Sequence, residues 1–189
     1  MKEPKSPARA TKQKSNIDFR LMSWSYKLRD LLKPRIDILQ ETGIKNGSNV
    51  LDFGCGPGSY ITPLTELVGP SGKVYALDVE PLALQMVQQT VAKKMLENVY
   101  TILSDCDTGL ASESLDFILL YDILHDLQNS GDVLTELYRV LKTDGRLSVN
   151  DHHLKRDEII SRIEEKGLFK LSASVKNTCN FIKDLKTGA

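Results

Sequence analysis

The run Val50-Leu51-Asp52-Phe53-Gly54-Cys55-Gly56-Pro57-Gly58-Ser59-Tyr60 constrains this chain more than any other stretch. An apolar segment ends in an aspartate, and three glycines follow at alternate positions. An amphipathic segment from Ile61 to Val68 comes next. That order predicts a strand, a tight turn and the start of a helix. Glycine lacks a Cβ, so the turn can take positive φ and a bound group can approach the backbone closely. The helix that follows aims unpaired N–H groups and its positive dipole end at the turn. An anionic or strongly polar group is therefore expected there.

Two common phosphate-binding patterns fit poorly. The dinucleotide fingerprint G-x-G-x-x-G is met by Gly54 and Gly56, but Ser59 stands at its third position and the third glycine is Gly58. A P-loop would end in Gly-Lys-Ser/Thr, and no such ending is present.

From Asn49 onward the pattern alternates. Strands are expected at Val50–Phe53, Lys73–Asp78, Val99–Leu103, Leu115–Tyr121 and Arg146–Asn150. Helices are expected at Ser59–Val68, Pro81–Leu96, Asp132–Leu141 (ending near Gly145) and Lys155–Lys166, the last with Gly167 as its C-cap. Leu168–Val175 and Thr178–Lys183 are close enough to pair antiparallel. Alternation of this kind implies an α/β fold, a mostly parallel sheet with helices on both faces. Before it, Ile17–Leu32 and Pro34–Thr42 read as two helices that can pack over the sheet's edge as a lid, or merely fill core. Met1–Asn16 holds five basic residues and one acid, and reads as a disordered tail. Residues 17–189 are then one domain, with 17–43 as its lid.

Lys+Arg and Asp+Glu each number 25, so the chain as a whole offers no electrostatic case for nucleic acid. No apolar run reaches membrane-spanning length, and the basic N-terminus lacks the apolar core of a signal peptide. Cys55, Cys106 and Cys179 are scattered and odd in number, which fits reduced thiols in the cytoplasm. Oligomeric state is not encoded in any pattern visible here.

Open parallel sheets bind ligands outside the carboxyl ends of their strands. Asp52 and Asp78 end the first two strands, and Asp105 follows the third. Tyr121 and Asp122 end the fourth, while Asn150, Asp151, His152 and His153 follow the fifth. Asp78 lies about 20 residues past the glycine turn, where a carboxylate can accept both ribose hydroxyls of an adenosine.

The glycine turn with its preceding Val-Leu-Asp resembles motif I of the class I S-adenosylmethionine-dependent methyltransferases. Val-Tyr-Ala-Leu-Asp78, Ser-Asp105-Cys106, Leu115–Leu120 and the Leu137–Leu147 segment are similar to later motifs, in the family's order. The nearest subgroup resembles the small ubiquinone- and menaquinone-synthesis (type 11) enzymes. That resemblance implies a Rossmann-like three-layer sandwich with seven strands, the last antiparallel. It implies S-adenosylmethionine as cofactor, S-adenosylhomocysteine as product and a small-molecule methyl acceptor. Gly54, Cys55, Gly56 and Gly58 would pass beneath the methionine part, and Asp52 would hold that end through its amino group or a water. Asp78, with Val79 beside it, would bind the ribose. Asp105 and the Cys106 N–H would meet the adenine, and Leu120 would also contact the cofactor.

Tyr121-Asp122-Ile123-Leu124-His125 falls where this family places acceptor-facing groups. His125 is the candidate base and Asp122 its orienting partner or a substrate contact. Alternatively His125 packs structurally and Asp122 caps a helix. Trp24, Tyr26, Tyr60, Tyr121 and His152 are candidate acceptor contacts. His152 and His153 can join His125 on a metal, or serve as loop polar groups, and no spacing demands a metal. The Asn/Asp-Pro-Pro-Tyr sequence of base-modifying relatives is absent, as is any large substrate-recognition insertion, so a small acceptor is favoured over a macromolecule. Methyl transfer to O, N, C or S is the expected activity. A non-catalytic S-adenosylmethionine-binding module and a nicotinamide-dependent oxidoreductase are the alternatives.

Overall fold

A computed structural model describes residues 36–185. The tail over 1–16 and the first expected helix, with Trp24 and Tyr26, lie outside the described residues.

Helix α1 (Ile36–Gln40) precedes strand β1 (Asn49–Phe53). There follow α2 (Ile61–Val68), β2 (Lys73–Asp78), α3 (Pro81–Lys94), β3 (Val99–Leu103) and β4 (Leu115–Tyr121). The described elements close with α4 (Ser130–Val140), β5 (Leu141–Asn150), α5 (Arg156–Glu164), β6 (Phe169–Ser174) and β7 (Cys179–Lys183). The seven strands form one sheet in the order β3-β2-β1-β4-β5-β7-β6. The first five strands pair in parallel, and β7 is antiparallel to both β5 and β6. This is the Rossmann-like α/β sandwich, with the strand order reversing between β1 and β4.

Period-two alternation along the strands feeds two separate cores. Val50, Val74, Ala76 and Leu119 point to the face covered by α1, α2 and α3, among Leu39, Ile61, Leu64 and Val87. Leu51, Phe53, Ile118, Leu120 and Val149 point to the other face, among Val133, Leu137, Ile159 and Ile163 of α4 and α5. Both faces are sealed, which explains why β4 reads Leu-Asp-Phe-Ile-Leu-Leu-Tyr, nearly unbroken in apolar residues.

Several boundaries differ from the sequence expectation. Helix α2 starts at Ile61, not Ser59, because Ser59 and Tyr60 remain in the glycine turn. Helix α3 stops at Lys94, where Met95 takes a left-handed conformation as its C-cap (φ 53°). Helix α4 ends at Val140 rather than near Gly145. Leu141 is fully buried and already pairs with Leu115, and the register shifts before Arg146 meets Phe117. The α4 carboxyl end therefore passes straight into β5, and Lys142 reaches Asp116 at 2.6 Å across the irregularity.

The described part of the N-terminal region is tied to the ligand edge of the sheet. Glu41, just after α1, accepts from the Asn177 backbone N–H at 2.9 Å and from Thr178 Oγ1 at 3.1 Å. Arg146 Nη1 donates to Thr42 O at 2.7 Å. The Asn150 side chain, at the end of β5, bonds Asn177 O beside them.

Candidate functional site

The glycine turn is held from below. Gly54 and Cys55 both donate their N–H groups to Leu77 O, at 2.8 and 2.9 Å. Gly56 N–H donates to Asp78 Oδ2 at 2.8 Å, and Gly58 N–H to Cys55 O at 3.1 Å. These donors hold the loop to β2 and to itself, so the turn is a fixed platform; the unpaired N–H groups expected from the sequence are those of the helix start that follows it.

The three glycines serve different ends. A Cβ on Gly54 would lie 2.8 Å from Ile123 Cγ1, so the loop after β4 presses directly on the turn. A Cβ on Gly58 would lie 2.9 Å from Val87 Cγ2, which sets the approach of α3. Gly56 has φ 51°, and a Cβ there would meet nothing within 4 Å among the described residues, as a surface meant to lie beneath a ligand should.

Asp52 shares the face of Val50 by strand alternation, on the side of Tyr60 and Tyr121. It is 2% exposed, and its Oδ2 has no hydrogen-bond partner among the described residues. Burial first, and the nearby Asp78 charge second, push its carboxyl up to about 7. A buried carboxylate oxygen without a donor is costly, and a cation with N–H groups would relieve it. Asp78 is less enclosed. It accepts from Gly56 N–H and, at 2.9 Å, from Glu80 N–H. Its carboxyl is also raised, by burial, against the lowering effect of those hydrogen bonds. Cys55 is buried beside both acids, and burial raises its thiol well above the usual range, which disfavours the thiolate.

Val79 is half exposed just past β2, on the open edge. Asp105 is exposed. The Cys106 N–H donates to Ser104 Oγ at 3.2 Å, so that donor is engaged within its own loop. Leu120 departs from expectation: its side chain is fully buried in the core under α4 and α5, away from the ligand side. Tyr121 departs as well. Its ring is buried, packs edge-on against Tyr60 at 5.2 Å, and its hydroxyl bonds Ser148 Oγ at 2.9 Å. Strand alternation turns it into the core with Leu119, where Tyr60 and Tyr121 back the Asp52 side of the site rather than reach for an acceptor.

The histidines pair differently from the expected arrangement. Asp122 starts no helix; α4 begins only at Ser130. Asp122 sits in left-handed backbone (φ 55°) with its N–H on Asn150 O at 2.8 Å. Its Oδ1 accepts from His152 Nδ1 at 2.7 Å, so Asp122 orients His152, not His125. His125 instead meets Asp151, with Nδ1 at 2.8 Å from Oδ2. His153 lies between them, its ring 4.2 Å from that of His125 and 3.9 Å from that of His152. One oxygen each of Asp122 and Asp151 and one nitrogen of His152 lie within 4.8 Å of one another. Sequence reasoning noted Asp151 only as one of several strand-end polar groups. No local spacing could pair it with His125, 26 residues away; only the parallel β4–β5 register does so.

Residues 44–186 match the family model described as methyltransferase domain. The chain is 32% identical over 117 residues to a demethylmenaquinone methyltransferase of Geobacillus sp. (strain WCH70), covering 61% of this chain and 50% of that protein. The chain spans about half the length of the curated relatives it matches. A SAM dependent methyltransferase structure from Aquifex aeolicus is 28% identical, with a TM-score of 0.71 over 82% of this chain and 95% of that one. A structure from Methanococcus maripaludis shares the fold at 14% identity, with a TM-score of 0.74 over 94% of this chain and 99% of that one.

Proposed function

The chain belongs to the methyltransferase-domain family, and on that premise we propose that it transfers a methyl group from S-adenosylmethionine to a small-molecule acceptor. The observation that carries this reading is Asp52 Oδ2, a buried carboxylate oxygen that lacks a donor among the described residues, beside a glycine platform that none of them covers above Gly56. The donor set fits the cofactor. Asp52 would take the ammonium, Asp78 the ribose hydroxyls, and Gly56 would lie beneath the methionine chain. Val79 would lie beside the ribose, and Asp105 would meet the adenine. When bound, S-adenosylmethionine supplies a sulfonium-activated methyl that an acceptor's O, N, C or S takes in line, leaving S-adenosylhomocysteine.

The protein's own part is to hold, orient and exclude water. The rigid turn fixes one side of the site, and Ile123 pressed on Gly54 brings the loop carrying His125 against it. His125 would take a proton from the acceptor, and His152, oriented by Asp122, would line the acceptor's side. Trp24 and Tyr26 remain candidate acceptor contacts. The compound named in the relatives, a demethylmenaquinone, is the first acceptor to assay. Residues 17–189 would form one domain, of which the family match covers 44–186. Three free cysteines support a reducing compartment, the cytoplasm.

Titration calorimetry with S-adenosylhomocysteine tests the cofactor assignment. Asp78→Ala should weaken binding by about 10–100-fold, from loss of hydrogen bonds to a charged acceptor. Unchanged affinity in the folded variant would remove Asp78 from the site.

A further inference from the structure

Asp151 is a buried and heavily engaged carboxylate. It follows β5 directly, is 4% exposed, and accepts four hydrogen bonds from two neighbours. Oδ2 takes the His125 backbone N–H at 3.0 Å and His125 Nδ1 at 2.8 Å. Oδ1 takes the His153 backbone N–H at 3.0 Å and lies 3.1 Å from the same Nδ1. The backbone contacts fix where Asp151 stands, and the imidazole contact fixes how the His125 ring is turned.

Resting on the methyltransferase reading, we propose that Asp151 is the positioning residue of an Asp151–His125 dyad, which keeps His125 Nε2 free to remove the acceptor's proton. A carboxylate can only accept, so the neutral ring must carry its hydrogen on Nδ1, and Nε2 is left with the lone pair. Asp151 stays ionised in that role. Burial alone would raise its carboxyl, but the hydrogen bonds from His125 and from the two backbone N–H groups hold it below the usual value. The two ends of the dyad differ in access: the Asp151 side chain is fully enclosed, while His125 is 22% exposed. The protonated ring would be steadied from both sides, by Asp151 at Nδ1 and by Asp126 Oδ2, 3.6 Å from Nε2.

The other charged groups near His125 are accounted for. On its own loop, Asp122 is paired with His152. From the β5 end, the His153 ring lies against that of His125. From α5, Arg162 Nη1 reaches Leu124 O at 3.5 Å, next to His125 in the chain. Of the aspartates here, Asp151 alone contacts Nδ1.

The proton balance defines the acceptor. The acceptor's X–H bond breaks and its proton goes to Nε2. The electron pair left on X forms the bond to the methyl, and the pair of the old methyl–sulfur bond stays on sulfur. His125 then gives its proton to water, so one H⁺ leaves per turnover. A site built this way suits an acceptor atom that carries a removable proton. A tertiary amine or a thioether would leave the dyad without a task.

The test is the histidine tautomer. The full chain is labelled with ¹⁵N-histidine, and the two-bond ¹⁵N–¹H pattern is recorded at alkaline pH, with signals assigned by His125→Gln, His152→Gln and His153→Gln. Wild-type His125 should show the Nδ1–H form. Asp151→Asn, whose amide can donate to Nδ1, should convert it to the Nε2–H form, as a merely structural loss would not. Asp126→Asn should leave it Nδ1–H. A wild-type His125 in the Nε2–H form overturns the dyad, as does an unchanged tautomer in folded Asp151→Asn. If that variant does not fold, the wild-type tautomer decides alone. Calorimetry with S-adenosylhomocysteine on the same samples keeps the two readings apart. Binding with the wrong tautomer sinks the dyad only, and absence of binding sinks the methyltransferase reading whatever the tautomer.

Discussion

Cofactor binding should be linked to a proton on Asp52. The carboxyl is 2% exposed with one oxygen unpartnered, and burial with the Asp78 charge pushes it up to about 7. In the free protein it is therefore mostly protonated at pH 5 and half ionised at pH 7. An ammonium needs the carboxylate, so below pH 7 binding must first expel the proton. With a value near 7, about one Asp52 in a hundred is ionised at pH 5 and about half at pH 7, so affinity should rise about fifty-fold across that window, or about 2.3 kcal/mol. The sign is fixed: an acid raised in the free state favours the protonated form, and binding gains as pH rises through its value. Asp78 is raised in the same direction, by burial. Calorimetry with S-adenosylhomocysteine, in buffers of different ionisation enthalpy, reads both affinity and protons released. Wild type should release about one proton from Asp52 at pH 5. Asp52→Asn should bind more weakly at pH 7 and lose that share of the slope. Affinity flat from pH 5 to 7 with no proton released would refute the placement of the ammonium on Asp52.

Two substitutions on the platform separate fold from binding. Gly56→Ala adds a Cβ into open space, so it should cost only about 1–2 kcal/mol of backbone strain yet obstruct the cofactor. Gly58→Ala meets Val87 at 2.9 Å as well as strain, so thermal unfolding should fall further than in Gly56→Ala. A Gly56→Ala variant that binds S-adenosylhomocysteine as wild type would refute the platform. Tyr121→Phe removes a buried hydrogen bond to Ser148, and should lower stability by about 1 kcal/mol while leaving cofactor affinity unchanged. A large loss of affinity would return the Tyr121 hydroxyl to the ligand site.

The sheet was legible because its strands carry their own punctuation. Val50–Phe53 ends in glycines, Lys73–Asp78 is bounded by Gly72 and Pro81, and each helix between has an apolar stripe to bury. The β5 start was not legible. Leu141 continues the helical stripe of Leu134 and Leu137, and only its pairing with Leu115 draws it into the sheet. At the site, the strand-end rule brought the right residues to one edge but could not say which carboxylate meets which imidazole. Asp122 is three residues from His125 and reads as its partner. Left-handed backbone at Asp122 turns it to His152, and Asp151 takes His125 instead. Likewise Tyr121 and Leu120 lie at the right end of β4, yet alternation buries one on each face of the sheet.

A crystal structure of the chain with S-adenosylhomocysteine tests the central claim most directly. The account predicts the amino group within hydrogen-bond distance of Asp52 Oδ2, the ribose hydroxyls on Asp78 and the amino-acid chain laid over Gly56. The same compound bound away from the glycine turn, or absent from a well-ordered site at saturating concentration, would contradict it.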